Sequence, residues 1–323
     1  MPCASPSDRR FVDNLKIAAL LTLAALLSSA GCGGGMHERR ATAAHWSFAP
    51  SMPHRRSYTA SAEIGGKIYV AAGMVGNTGR PLDVFERFDP QREEWSALPA
   101  VPAAFSAAAG ARLGDRMYVV GGDSPHTTGR QVYSYDVATG KWRSETPLPA
   151  HRTNLAAVAL HGKLYAIGGL NPNEPVRTVF VYDPSSRRWS NAVPLPKALH
   201  AIAAVVFHGE IWVLGGRVKS QAVQRSVWIY NAHENRWRAG PTMPKPMELE
   251  GATVVGDKIY VVLEKKYLIY DGGTHRWSIG PSPEVPRHAL ALFAADGKLY
   301  AIGGCIAPQL EDSTIVESIP IES

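Results

Sequence analysis

The chain has 323 residues, 45% hydrophobic and 19% charged, a composition that excludes wholesale disorder and leaves room for one large domain or two small ones. Lys and Arg outnumber Asp and Glu by 34 to 28, and no run of like charge exceeds a few residues. The surplus is a dispersed, solvated surface rather than a nucleic-acid-binding arm, so no nucleic-acid partner is expected.

The chain opens with Arg9, Arg10 and Lys16 ahead of the apolar run "IAALLTLAALL" from Ile17 to Leu27, followed by "SSAGC". That order is the plan of a secretory signal peptide over residues 1–31, and the run is too short to cross a bilayer as a helix. Because the segment ends in Cys32, it also resembles a bacterial lipoprotein signal, which implies lipidation of Cys32 as the first mature residue. Ser29 departs from the aliphatic residue usual in that signal, and cleavage after Ala30 is the competing reading. The glycines at 33 to 35 and the polar residues up to 44 form a flexible tether over residues 32–44. The expected location is extracytoplasmic, in the periplasm or at the outer membrane or cell surface, with membrane contact by the lipid anchor only. Cys3 and Cys32 fall before the remaining domain, so Cys305 stands alone there and no intramolecular disulfide is available.

From residue 45 onward one short sentence recurs: "GKIYVAAG" at Gly66, "DRMYVVGG" at Asp115, "GKLYAIGG" at Gly162 and again at Gly297, "GEIWVLGG" at Gly209 and "DKIYVVLE" at Asp257. A tryptophan stands 23 positions before each central aromatic: Trp46, Trp95, Trp142, Trp189, Trp237 and Trp277. Each copy follows a small, apolar stretch and a two-residue turn containing glycine, which predicts a tight antiparallel hairpin. A third apolar strand ends in Asp89, Asp136, Asp183, Asn231 or Asp271, placed to cap the next turn, and a tryptophan-bearing fourth strand follows. Each unit therefore reads as a four-stranded antiparallel meander.

A repeat of this length with four strands, an internal diglycine and spaced Tyr and Trp resembles the kelch repeat, whose fold is the β-propeller. The resemblance implies an all-β, six-bladed propeller over residues 45–323. The last unit stops one position short of its tryptophan, and Trp46 has no unit before it. The N-terminal strand around Trp46 is therefore expected to complete the C-terminal blade and close the ring. A dimerising domain, common in kelch proteins, is absent from this sequence, so a monomer is expected.

The repeats disagree at three places, and there candidate function lies. The interval from the core aromatic to the capping residue is 20, 18, 18 and 19 in the first four units and 11 in the fifth, so the loop between second and third strands varies and blade 5 leaves the rim low. A column at the start of each inner strand reads Arg56-Ser57-Tyr58, Phe105-Ser106-Ala107, Arg152-Thr153-Asn154, Leu199-His200-Ala201, Met247-Glu248-Leu249 and Arg287-His288-Ala289. Kelch proteins that bind acidic peptides use arginines and serines of this region, which implies Arg56, Arg152 and Arg287 as contacts, with Ser57, Ser106, Asn154 and His288 beside them. Just past the diglycine, Asp123, Asn171 and Arg217 are expected to point into the mouth.

The regular units, without a long inserted lid, point to a binding module for a protein or peptide segment or a glycan, with no cofactor and no metal. The alternative is an enzyme like the sialic acid mutarotases, exported bacterial kelch propellers. There Glu248, Glu250 or His200 would move protons while an arginine held the sugar carboxylate. A copper site of the galactose oxidase kind is not expected, because the histidines form no ligand cluster and His161 and His208 sit in hairpin turns.

Overall fold

The computed structural model describes residues 44–75, 79–249, 251–306 and 311–321. Cys32, the leader and the tether lie outside the described residues, as does Glu250. Among the described residues the regular structure is all strand, with six four-stranded antiparallel sheets, five of them in simple meander order, and two small rim sheets of three and two strands.

Blade 1 runs Ala60–Ile64, Lys67–Ala71, Phe85–Asp89, Glu94–Ala97, and blades 2 to 5 repeat it up to Arg276–Ile279. Blade 6 takes Ala291–Ala295, Lys298–Ile302 and Val316–Pro320 from the end of the chain and Ser47–Ala49 from its beginning. The N-terminal strand pairs antiparallel with Val316–Pro320, Ser47 opposite Ser318 and Ala49 opposite Val316, so it completes the C-terminal blade.

Local chemistry explains the repeat. In four blades both residues of the hairpin turn after the inner strand have positive φ, as at His161 (50°) and Gly162 (72°), the geometry whose twist matches the flanking strands. The Asp or Asn closing the third strand caps the next turn: Asp136 Oδ1 accepts from Thr139 N at 2.9 Å, and Asp271 Oδ1 from Thr274 N at 2.7 Å. Inner strands begin with Ala60, Ala109, Ala156, Ala203, Gly251 and Ala291, small enough for six strands to converge on one axis. The diglycine is a close-approach device as well. A Cβ on Gly121 would stand 2.4 Å from Arg152 O and one on Gly168 2.6 Å from Leu199 O, against the start of the next blade's inner strand.

Two circuits of backbone hydrogen bonds join the blades at the end where the inner strands begin. In one, the last residue of each recurring eight-residue segment donates to the next blade: Gly73 to Phe105, Gly122 to Arg152, Gly169 to Leu199, Gly216 to Met247, Glu264 to Arg287 and Gly304 to Arg56, at 2.8 to 3.1 Å. In the other, Tyr58, Ala107, Asn154, Ala201, Leu249 and Ala289 each donate to the preceding blade's member, at 2.8 to 3.3 Å, and Tyr58 returns the chain to Ala289. All six of the latter have φ between 48° and 55°, a left-handed turn that aims N–H and C=O along the circuit. The tryptophans provide a third tie: each indole N–H donates to a carbonyl of the preceding inter-blade connection, Trp95 to Pro50 and Trp237 to Val193 at 2.9 Å, and Trp46 to Pro281 at 2.9 Å.

Candidate functional site

The residues of the second circuit, with Thr59, Ala108, Leu155, Ile202 and Leu290 below them, line a narrow central cavity of about 110 Å³. Its wall is mostly Ala, Leu and Ile, with Tyr58 and Asn154 as the larger polar members. Charge lies higher, at the mouth, where the inner-strand column meets the rim loops.

The arginine column requires a correction. Arg56 and Arg287 are fully buried and Arg152 is 2% exposed, so none of the three presents its guanidinium to the mouth. Arg56 donates to Glu86 Oε2 at 2.6 Å and to Val70 O at 3.1 Å. Arg287 donates to Glu317 Oε2 at 2.7 Å and to the carbonyls of Gly303, Ile315 and Ala301 at 2.6 to 3.2 Å. Arg152 has no carboxylate partner among the described residues; it bonds Thr178 Oγ1 and His151 O and lies 4.9 Å over the Phe180 ring. Ser57, also fully buried, donates to Asp312 Oδ1 at 2.5 Å. The physical reason is reach: an arginine at the strand start folds back over its own blade, where open carbonyls receive its Nη groups, joined by a carboxylate for Arg56 and Arg287 and by a hydroxyl for Arg152. The repeats carry the signal. Glu86 and Glu317 stand in the third strand only in the two blades with such a pair, whereas Phe105 stacks on Tyr133, and Leu199 and Met247 share apolar clusters with Trp228 and Leu268.

The mouth itself is charged on one side. Arg217, on the rim of blade 4, grips Glu248 of blade 5 through Nε and Nη2 and donates from Nη1 to Gln221 at 3.3 Å. His200 pairs through its backbone with Arg217 and is nine-tenths buried, and neither ring nitrogen has a partner among the described residues. Burial, and then the Arg217 charge, hold its pKa below the ordinary value. His288 is shifted the same way, mainly by burial and with help from Arg217, while Glu264 and Asp312 oppose the shift. Around blades 1 to 3 the same column holds Ser57, Ser106 and Thr153, all buried, and half-buried Asn154, with exposed Asp123 on the rim. The structure thus brings together Arg217, Glu248, His200 and His288, adds Glu264 and Asp312, which the sequence did not single out, and leaves Asp123 on the far side. Among the described residues no three His, Cys, Asp or Glu side chains stand together as metal ligands. His208, in its hairpin on the opposite face, pairs with Asp257 at 2.5 Å.

Two depressed imidazoles fix the direction of a pH effect. Above about 6.5 both folded and unfolded chains hold them neutral. As pH falls below that value the unfolded chain takes up protons that the fold refuses, so stability drops until the pH passes the folded pKa. His200→Gln with His288→Gln is expected to flatten that acid limb in urea titrations between about pH 6.5 and 5; an unchanged slope would show that neither group is held neutral.

Six four-stranded antiparallel blades, the last completed by the N-terminal strand, define a kelch-type propeller. The KLHDC2/KLHL20/DRC7 Kelch-repeats domain matches residues 44–262, and the chain belongs to the kelch-repeat family. Among solved structures, that of YjhT superposes with a TM-score of 0.74 at 17% identity, covering 86% of this chain and 98% of its own. That likeness establishes fold alone, and with 1056 structural chains matching, fold does not select a function. No curated protein matches the sequence.

Proposed function

We propose that the protein is a binding module that receives a protein segment or a glycan at the channel mouth, over Arg217, Glu248, His200 and His288. The observation that carries this reading is the concentration of charge and unsatisfied polarity on one side of the mouth: a cross-blade guanidinium–carboxylate pair beside a buried imidazole whose two ring nitrogens have no partner among the described residues. Neutral imidazoles offer one donor and one acceptor each, Arg217 offers charge, and the fold holds all of them rigidly.

The second reading is sugar mutarotation of the sialic acid mutarotase type. It is favoured by the adjacency of a carboxylate, Glu248, and imidazoles held neutral, which can exchange a proton at an anomeric hydroxyl, to a cation, Arg217, that can hold a sugar carboxylate. A thermal-shift screen of the full chain against sugars, including sialic acid, and against peptides separates the two. Any ligand that stabilises the wild type is expected to lose most of its effect on Arg217→Ala and on Glu248→Gln, and a sialic acid hit would be followed by its anomerisation rate. Ligand stabilisation untouched by both variants would refute the mouth as the site.

A further inference from the structure

A second repeated position lies on the same face but outside the mouth. Six residues before the capping Asp or Asn stand Asp83, Arg130, Arg177, Arg225 and Lys265 in blades 1 to 5. The backbone there clamps the following inter-blade connection: Leu148, Leu195 and Met243 donate to the carbonyls of Arg130, Arg177 and Arg225 at 2.7 to 3.0 Å. The three side chains return the bond, Nε of Arg130 to Leu148 O at 2.6 Å, Nε of Arg225 to Met243 O at 2.8 Å, and Nε of Arg177 to Leu195 O. In blade 5, where the rim loop is a two-residue turn, Lys265 Nζ takes the same place on Pro283 O at 2.7 Å.

The clamp accounts for one N–H of each guanidinium and pins its plane. The four N–H groups of the Nη fork remain, on exposed residues, with no carboxylate partner among the described residues. Exposed Lys197 and Lys245 stand two residues beyond Leu195 and Met243 on the same connections. The opposite face behaves differently, since its carboxylates are met by cations in place, as in Lys67–Asp89, Arg116–Asp136 and Arg238–Glu210. Three exposed acids share the arc's side: Asp123, Glu284, and Glu174, which Lys219 holds at 2.9 Å.

We propose that Arg130, Arg177, Arg225 and Lys265 form a docking arc along the rim of blades 2 to 5 for an acidic segment of a partner protein. A guanidinium fixed through Nε presents its fork to a carboxylate with little further ordering, one fork per blade. The arc is one-sided: Asp83 interrupts it in blade 1, and Glu311 is exposed on blade 6. A flat anionic membrane would meet those carboxylates as well, whereas a segment running along blades 2 to 5 avoids them. The inference shares with the proposed function only the assumption that this face binds, and its residues are separate from the mouth.

The test uses the full chain and a fluorescein-labelled peptide of alternating glutamate and glycine, followed by anisotropy at low and high salt, with unfolding midpoints recorded for every variant. The wild type is expected to bind in a salt-sensitive way, Arg130→Gln with Arg177→Gln and Arg225→Gln to bind about tenfold more weakly, and the corresponding triple lysine variant to fall between. Should the glutamine triple fail to fold, Arg177→Gln and Lys265→Gln singly are expected to give a smaller loss in the same direction. No binding by the wild type, equal binding by the folded variants, or tighter binding to phosphatidylglycerol vesicles or polygalacturonate than to the peptide would overturn the proposal. Loss of peptide binding in Glu248→Gln but not in the arginine variants would overturn it too, while leaving the mouth reading in place.

Discussion

Trp46→Ala is expected to lower the unfolding free energy by about 3–5 kcal/mol, at least as much as the same change at Trp189. Trp46 immediately precedes the three-residue outer strand Ser47–Ala49. Here it is 1% exposed, packs edge-on against Tyr267 at 5.4 Å and donates to Pro281 O at 2.9 Å. Trp189 makes the equivalent bond to Thr146 O at 2.8 Å but is only half-buried. Removing Trp46 leaves a cavity between blades 5 and 6 and weakens the strand that joins the two ends of the chain, so the loss falls on the ring as a whole. Urea unfolding of the two variants beside the wild type measures it. A Trp46→Ala midpoint close to wild type would mean that the N-terminal strand is dispensable and the closure account wrong.

Glu317→Ala is expected to cost about 3–5 kcal/mol, because it strands a fully buried guanidinium. Burial already pulls the Arg287 pKa down, and Glu317 is the charge that opposes that pull. Copying into blade 6 the residues that blade 5 carries, Arg287→Met together with Glu317→Leu, is expected to recover most of the loss, since a packed apolar pair replaces a buried ion pair at little net cost. The comparison also separates structure from binding. Were the arginine instead a ligand contact, Arg287→Met would cost little stability alone, and the double variant would be no better than Glu317→Ala.

The architecture was legible because it repeats. Tryptophan, aromatic, glycine turn and capping Asp recur at fixed spacing, and the tryptophan donates to the preceding inter-blade connection in all six blades, which is what a periodic signal can encode. Strand completion by Ser47–Ala49 was legible too, from a missing tryptophan at one end and a surplus one at the other. The arginine column was misread because spacing places a Cα and not the end of a long side chain; only the matching glutamates at 86 and 317 told where the forks land. The mouth was partly legible. Arg217, Glu248, His200 and His288 stood in the variable columns, but the Arg217–Glu248 pair joins different blades, and no period within one unit predicts it. Glu264 and Asp312 were missed for the same reason, since both belong to rim loops that differ from blade to blade.

The most direct test of the mouth as the binding site is to follow the imidazole proton signals of the full chain by NMR while adding whichever ligand stabilises it. Our account predicts that the signals of His200 and His288 move on saturation while those of His161 and His208, on the opposite face, stay in place. Movement of His161 or His208 with His200 and His288 unchanged would contradict it.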